Sequence, residues 1–207
     1  MATNPGVIVL TKTDFSDFYG KYLSNVIVIS NPCSFAPELK IKQTDRLKKI
    51  IAIGDLNRIQ IKGWDTLIEV FSSISPLFPD WKLEFAGSGD IGRKLLIQQT
   101  KEKNVLKNVC FLGPVSDIKS LLQESSIFIL TSRFEGLPMA LIEAMSQGVA
   151  CIAFDCKTGP KDIIKNKLDG YLVENQNINE MKNKLMDLML DIELRDKFSI
   201  NAIAKSN

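Results

Sequence analysis

The sequence predicts an α/β fold built on a doubly wound parallel sheet, and three observations carry that expectation. From Lys49 onward, short apolar runs of strand length alternate with stretches of helical periodicity, and the links between them are short. The residues just after each apolar run are of ligand-binding type: Gly54-Asp55-Leu56-Asn57-Arg58, Gly87-Ser88-Gly89, Gly113-Pro114, Thr131 to Gly136 and Asp155 to Pro160. The links at the other end are solvated turns such as Lys101-Glu102-Lys103-Asn104. Open parallel sheets bind ligands beyond the carboxyl ends of their strands, so a site is expected among the first set of loops.

Taken in order, Val7 to Leu10 is a predicted strand, Asp14 to Leu23 a helix started through Thr11 and Thr13, and Val26 to Ile29 a second strand. Residues 1–31 thus form one small β-α-β unit. Two prolines in Asn31-Pro32-Cys33-Ser34-Phe35-Ala36-Pro37 resist regular structure, and with the polar stretch Lys40 to Arg46 they make residues 32–48 an expected interdomain linker. The main domain, residues 49–207, opens on strand Ile50 to Ile53. A helix follows from Trp64, whose apolar positions Trp64, Leu67, Ile68, Phe71 and Ile74 keep helical spacing. Then come strand Lys82 to Ala86, helix Ile91 to Glu102, strand Val109 to Leu112, helix Ile118 to Gln123 and strand Ile127 to Leu130. A helix through Met139 to Met145 starts at Pro138, where a missing N–H costs nothing. Strand Val149 to Phe154, a half-helix over Pro160 to Lys165, strand Tyr171 to Val173 and helical material from Ile178 complete the chain.

Composition narrows the chemistry. With 45% apolar and 24% charged residues, the chain is that of a globular domain with a sizeable core, and a net charge of +2 gives no reason to expect nucleic acid. There is no histidine, which removes histidine bases, Ser-His triads and almost every zinc site. Carboxylates, Lys, Arg and backbone dipoles are what remain, and no metal site is expected. Cys33, Cys110, Cys151 and Cys156 show no Cys-x-x-Cys spacing and are expected as reduced core residues of a cytosolic protein. The apolar run Gly6 to Leu10 is too short for a signal peptide, and no stretch approaches the length of a membrane span.

The stretch Ser132 to Gly148 holds the most specific signal. Met139 to Met145 is apolar all round except at Glu143, and a lone carboxylate in such a setting calls for a partner. Glu135 stands in the preceding loop beside Gly136, and the helix start offers free amides and a dipole that favour an anion, most often a phosphate. Arg58 and Lys62 lie at the same edge of the sheet, between the first strand of the main domain and its helix.

Two glutamates flanking a Gly-Leu-Pro helix start resemble the Glu-x7-Glu signature of family 4 retaining glycosyltransferases, enzymes of the two-domain GT-B fold with Rossmann-like halves that use nucleotide-sugar donors. The resemblance implies that Glu135 and the amides of Gly136 and Leu137 hold the donor sugar. It implies also that Glu143 binds the ribose diol, that the amides near Met139 and Ala140 face the diphosphate, and that Lys62 and Arg58 meet the β-phosphate. Family members put an arginine directly after the glycine where this chain has Asp55 and a longer loop, so Lys62 is the closer match of the two. Pro114 and Val115 follow Phe111-Leu112-Gly113 and are candidates for lining the nucleobase. The segment Asp155 to Ile164 resembles the one after the Glu-x7-Glu helix, with Asp162 in the place of its acid and a plain structural turn as the competing reading.

On this resemblance the chain is one half of a GT-B fold: the end of an N-terminal acceptor domain, a linker, and a donor-binding domain. It implies a sugar nucleotide, UDP- or GDP-linked, as donor, and no other cofactor. A glycan or lipid-linked acceptor would be bound by an N-terminal domain missing from this chain, so these residues alone are expected to bind nucleotide weakly and not to transfer sugar. The setting implied is surface polysaccharide synthesis in the cytoplasm, with peripheral association at the inner membrane face as the variant. Two other readings stay open. A nucleotide-sugar epimerase of similar fold generally uses histidine, which is missing here. Gly87-Ser88-Gly89-Asp90-Ile91-Gly92 fits Gly-x-Gly-x-x-Gly and admits an NAD-binding or non-catalytic module, but no acid stands about twenty residues on to bind ribose. The run is therefore expected as a tight turn in which Gly87 and Gly89 let the backbone approach the donor.

Overall fold

Strand β3 (Leu47–Ile53) is the centre of the molecule, and the reason lies in its composition: Ile50, Ile51 and Ala52 are apolar on both faces and all fully buried. The computed structural model describes residues 6–38 and 40–206, so the first five residues of the expected small unit lie outside the described ones. Around β3 lie β4 (Lys82–Ala86), β5 (Val109–Gly113), β6 (Ser125–Leu130), β7 (Ala150–Asp155) and β8 (Tyr171–Glu174), in the order β5-β4-β3-β6-β7-β8 with every pairing parallel. The chain runs outward from β3 to one edge, then returns to the other side of β3. That reversal puts a topological switch point between β3 and β6, where a crevice opens beyond the strand ends.

Alternate side chains feed two separate cores. Ile50 and Ala52 of β3, Ile127 and Ile129 of β6, and Ile152 and Phe154 of β7 meet helices α3 (Trp64–Ile74), α4 (Asp90–Glu102) and α8 (Ile178–Leu190). Ile51, Phe128, Leu130, Cys151 and Ala153 face the other way, against α5 (Ile118–Glu124) and α6 (Met139–Ser146). Each isoleucine, leucine or phenylalanine among them contributes about 1.5–3 kcal/mol when fully buried. A period of two over strands buried on both faces explains why they look like unbroken apolar runs in the sequence. The final helix, α9 (Ile192–Ser206), reaches both cores through Phe198 and Ala202. Among the described residues no helix is long and apolar enough to cross a membrane.

Several elements differ from expectation for identifiable reasons. The strand expected at Ile50 starts at Leu47, inside the stretch assigned to the linker. A four-residue helix, α2 (Ile59–Lys62), ends at Gly63, whose left-handed backbone (φ 64°) lets α3 begin at once in a new direction. Pro138 is the cap before α6 and accepts hydrogen bonds from Leu141 and Ile142 through its carbonyl. The helical material after Ile178 breaks at Asp191, which caps α9 by accepting from the Leu194 amide at 2.9 Å. Cys151 and Cys156 are buried as expected, whereas Cys33, in the irregular stretch after residue 28, is half-buried, and Cys110 is exposed because it lies on the edge strand β5.

The first residues form their own sheet, with β1 (Val7–Val9) pairing in parallel with β2 (Val26–Val28). Helix α1 (Lys12–Asp17) joins them, capped by Thr11, which accepts from the Asp14 amide at 2.9 Å. The helix was expected to reach Leu23; it stops at Asp17 and a 3-10 turn over Tyr19–Lys21 replaces its end, at the poor helix former Gly20. The stretch that follows is fastened beneath the large sheet by Arg46. Its guanidinium donates to the carbonyls of Leu122, Gln123 and Ser125, each at 3.0 Å, and of Gln147 at 2.6 Å. Burial pulls the pKa of that group down to about 10, which leaves it charged at neutral pH.

Candidate functional site

At the switch point the loops after β3 and β6 meet. Lys62, in the last turn of α2, donates from Nζ to Glu135 Oε1 at 2.7 Å, with the two side chains only 17% and 10% exposed. Ser132 Oγ donates to the same carboxylate oxygen at 2.6 Å. Glu135 Oε2 has no partner among the described residues. Arg58, Ile61, Lys62, Phe134, Glu135 and Gly136 enclose a cavity of about 240 Å³. The Arg58 side chain is exposed and, among the described residues, free of any ion pair, so the cavity has one cation engaged by an acid and one available.

Neither loop is free to drift. Arg133 forms a two-pronged ion pair with Asp65, both bonds at 2.9 Å, and also donates to Thr66 Oγ1 and the Gln60 carbonyl at 2.9 Å. Its own amide donates to the Ile61 carbonyl at 2.8 Å. Thr131 Oγ1 donates to the carbonyls of Lys62 and Gly63 at 3.2 and 3.0 Å. A Cβ on Gly63 would lie 2.1 Å from the Thr131 carbonyl oxygen, so only glycine permits this approach. From the other side Thr158 Oγ1 donates to the Glu135 carbonyl, and a Cβ on Gly159 would lie 2.2 Å from the Gly136 carbonyl oxygen. The Cys156 thiol beneath is pushed up to about 11, by burial first and by the charge of Glu135 second, so it stays protonated.

The glycine-rich turn packs tightly against a neighbouring loop. Gly87, Gly89 and Gly92 face the loop after β3: added Cβ atoms would lie 1.9 Å from the Gly54 carbonyl oxygen, 2.6 Å from the Asn57 amide and 1.9 Å from the Leu56 carbonyl oxygen. Backbone approaches backbone here, and the contact holds the loop leading to Arg58 and Lys62. The remaining expected site residues are spread more widely. Glu143, on the second turn of α6, is half-buried with no side-chain partner among the described residues, and it is not part of the wall of the Lys62–Glu135 cavity. The amides of Met139 and Ala140 at the start of α6 have no acceptor among the described residues, as the first turn of a helix dictates. Leu137 turns toward a separate hollow shared with Thr11 and Asp162. Pro114 is exposed, and Val115 packs partly against the second core. The Asp162 carboxylate accepts from the Thr13 amide at 3.4 Å, a contact between the small unit and the large one.

This architecture has known counterparts. Residues 37–205 match the family model described as glycosyl transferases group 1. The chain belongs to this family. It is 33% identical over 186 residues to an uncharacterized glycosyltransferase of Haemophilus influenzae, covering 89% of this chain and 51% of that one. It is 31% identical over 199 residues to a poly(ribitol-phosphate) alpha-N-acetylglucosaminyltransferase of Staphylococcus aureus, covering 95% of this chain and 39% of that one. Among solved structures, a mutant of S. aureus TarM in complex with fondaparinux, alpha-GlcNAc-glycerol and UDP superposes with a TM-score of 0.88 at 30% identity, over 96% of this chain and 40% of that one. The chain thus spans about half or less of the length of these relatives. Its large sheet with flanking helices is a Rossmann-like domain of the GT-B fold. For a group 1 glycosyltransferase the epimerase alternative is not favoured.

Sequence reasoning about this glycosyltransferase domain missed Arg133, Asp65 and Thr158, which hold the site without lining its deepest part. Arg133 lay in a loop already marked as functional, and its neighbour Glu135 drew the attention. Asp65 gave no signal, being one acid at a helix start. Their partnership across 68 residues is visible only in three dimensions.

Proposed function

We propose that these residues form the donor-binding half of a retaining glycosyltransferase that takes its sugar from a nucleoside diphosphate, with UDP the first nucleotide to test. The observation that carries the reading is the meeting of Lys62, Arg58 and Glu135 around one cavity at the switch point of a parallel sheet. A diphosphate placed there takes Arg58 and draws Lys62 from Glu135, and the first-turn amides of α6 add their dipole. Glu135 Oε2 and the amides of Gly136 and Leu137 then accept and donate to the sugar hydroxyls. Glu143, a half-buried acid with no partner of its own among the described residues, serves the ribose diol. As the sugar–phosphate bond breaks, negative charge grows on the leaving diphosphate and the two cations stabilise it. The acceptor hydroxyl attacks from the same face and gives its proton to the departing diphosphate oxygen, without a lasting covalent sugar–enzyme bond.

Because the chain spans only part of its relatives, the proposal for these residues is donor binding. Transfer to a glycan or lipid-linked acceptor, in surface polysaccharide synthesis on the cytoplasmic side of a membrane, is proposed for the whole protein. One S. aureus relative is named as a poly(ribitol-phosphate) alpha-N-acetylglucosaminyltransferase, which supports a polymer acceptor, and the S. aureus TarM complex with UDP supports the nucleotide. Residues 1–31 are proposed as the closing β-α-β unit of the acceptor domain, a reading supported by their separate sheet, with residues 32–48 linking it to the donor domain.

The test is a thermal-shift panel of UDP-, GDP- and ADP-sugars beside NAD on the 207-residue chain and its Lys62→Ala variant. One nucleotide series should raise the melting temperature of the parent and not of the variant. A shift with NAD alone, or an equal shift in Lys62→Ala, would overturn the assignment.

A further inference from the structure

Glu135 is held unevenly. The two donors that reach it, Lys62 Nζ at 2.7 Å and Ser132 Oγ at 2.6 Å, converge on Oε1, while Oε2 has no partner among the described residues. Ser132 is the second residue after β6, is 1% exposed, and makes no other side-chain hydrogen bond among the described residues. Its spacing of three residues from Glu135 carries the hydroxyl back onto the carboxylate. The path of the loop does not depend on that bond. The Arg133 amide donates to the Ile61 carbonyl at 2.8 Å, and Thr158 Oγ1 donates to the Glu135 carbonyl, so the backbone on either side is fastened by other groups. The hydroxyl acts on the carboxylate alone.

The two donors differ in freedom. Lysine carries its ammonium on a flexible four-carbon stem, and that charge suits a phosphate as well as a carboxylate. Serine carries its hydroxyl on a single carbon, here at a buried strand end, and cannot follow. Under the donor reading, on which this inference rests, an incoming diphosphate draws Lys62 away from a carboxylate only 10% exposed. We infer that Ser132 is the positioning residue that keeps hold of Glu135 through that exchange. It is the donor that stays on Oε1, so the carboxylate keeps a partner and an orientation, with Oε2 open to a sugar hydroxyl.

Loss of the hydroxyl therefore acts on one complex more than on the other. Stripping a buried carboxylate of its last donor is costly, whereas removing one donor of two costs little. In the free chain without the hydroxyl, Lys62 still satisfies Glu135. In a UDP-sugar complex the sugar hydroxyls do so. Only in the complex with UDP is the acid left without a partner.

The experiment is calorimetric titration of the 207-residue chain and its Ser132→Ala, Ser132→Thr and Lys62→Ala variants with UDP, UDP-glucose and UDP-N-acetylglucosamine, with a thermal melt of each. Ser132→Ala should bind UDP about tenfold more weakly, yet bind the UDP-sugar within about threefold of the parent, so that the preference for the sugar nucleotide rises. Ser132→Thr retains the hydroxyl and should restore the parent's UDP affinity. A second measurement does not depend on threonine fitting. In a Glu135→Gln background no ionised group is left stranded, so adding Ser132→Ala should change UDP affinity by less than about twofold. Equal weakening of UDP and UDP-sugar, no weakening of either, or the same tenfold loss of UDP affinity in the Glu135→Gln background would overturn the role given to Ser132. Provided that Lys62→Ala weakens both ligands, the donor reading would then stand. If neither ligand binds the parent, or if Lys62→Ala binds both as the parent does, the donor reading falls and this inference with it.

Discussion

Replacing Glu135 with glutamine is expected to tighten the binding of UDP and at the same time to erode the preference for a UDP-sugar over UDP. In the unliganded chain Lys62 is held by Glu135 at 2.7 Å, with both side chains largely out of water. A charge-assisted hydrogen bond of that kind is worth about 1.5–3 kcal/mol net. A diphosphate has to compete for that ammonium and tolerate the nearby carboxylate. Glutamine keeps an oxygen to accept from Ser132, which now donates at 2.6 Å, so the loop stays in place while Lys62 is released. If half of the pair's worth is recovered by the incoming phosphate, the gain is about 0.75–1.5 kcal/mol, or roughly fourfold to tenfold in Kd. The sugar hydroxyls lose a charged acceptor, so affinity for the UDP-sugar rises less or falls. Calorimetric titration of parent and variant with UDP and with UDP-N-acetylglucosamine measures both numbers, and a thermal melt checks the fold. Equal or weaker UDP binding in a normally folded Glu135→Gln would refute the idea that the acid holds the lysine back.

Other expectations follow from the same geometry. Arg133→Lys leaves Asp65 with a single donor in place of a fork and should cost about 1–2 kcal/mol in denaturant unfolding, with UDP-sugar affinity falling more than UDP affinity. Full parent affinity for both would show that this clamp does not position Glu135. Gly63→Ala puts a methyl 2.1 Å from the Thr131 carbonyl oxygen on a backbone with φ 64°, and should destabilise by about 3 kcal/mol or more. Gly136→Ala, where a Cβ meets open space, should unfold close to the parent midpoint. With a thiol reagent at neutral pH, Cys110 should react first and Cys33 next. Cys151 and Cys156 should react only on unfolding, since both are buried and burial raises their thiol pKa, for Cys156 to about 11. Fast labelling of Cys151 would contradict the packing of the second core.

The large sheet was legible because apolar runs such as Ile127 to Leu130 can hardly be anything but inner strands once helical segments alternate with them. Boundaries were less so. Leu47 looks like linker until Ser126 Oγ is seen donating to its carbonyl at 2.6 Å. The helix α2 was hidden because four residues carry no periodicity. Lys62 and Glu135 were legible as chemistry, since cations and acids after strands have few other uses. Their contact was not, because it spans 73 residues and depends on how β3 and β6 align. The Gly87 to Gly92 run was legible as a tight turn, but the neighbouring loop that requires its glycines was not. Cys110 was misjudged because a sequence does not say which strand is the edge.

The pairing of β3 with β6 is the longest-range join within the large sheet, linking Leu47 with Ser125 and Ile51 with Phe128. Contacts so far apart along the chain are costly in loop-closure entropy and form late in folding. Lys62 and Glu135, the residues proposed to grip the donor, are carried on the two sides of this join. No partly assembled form that lacks it can bring the lysine and the acid together, so the proposed grip on a nucleotide would arise in one step with the completion of the sheet. Donor occupancy in turn holds that seam closed, and amide exchange along β3 and β6 should slow in proportion to how tightly the nucleotide is held.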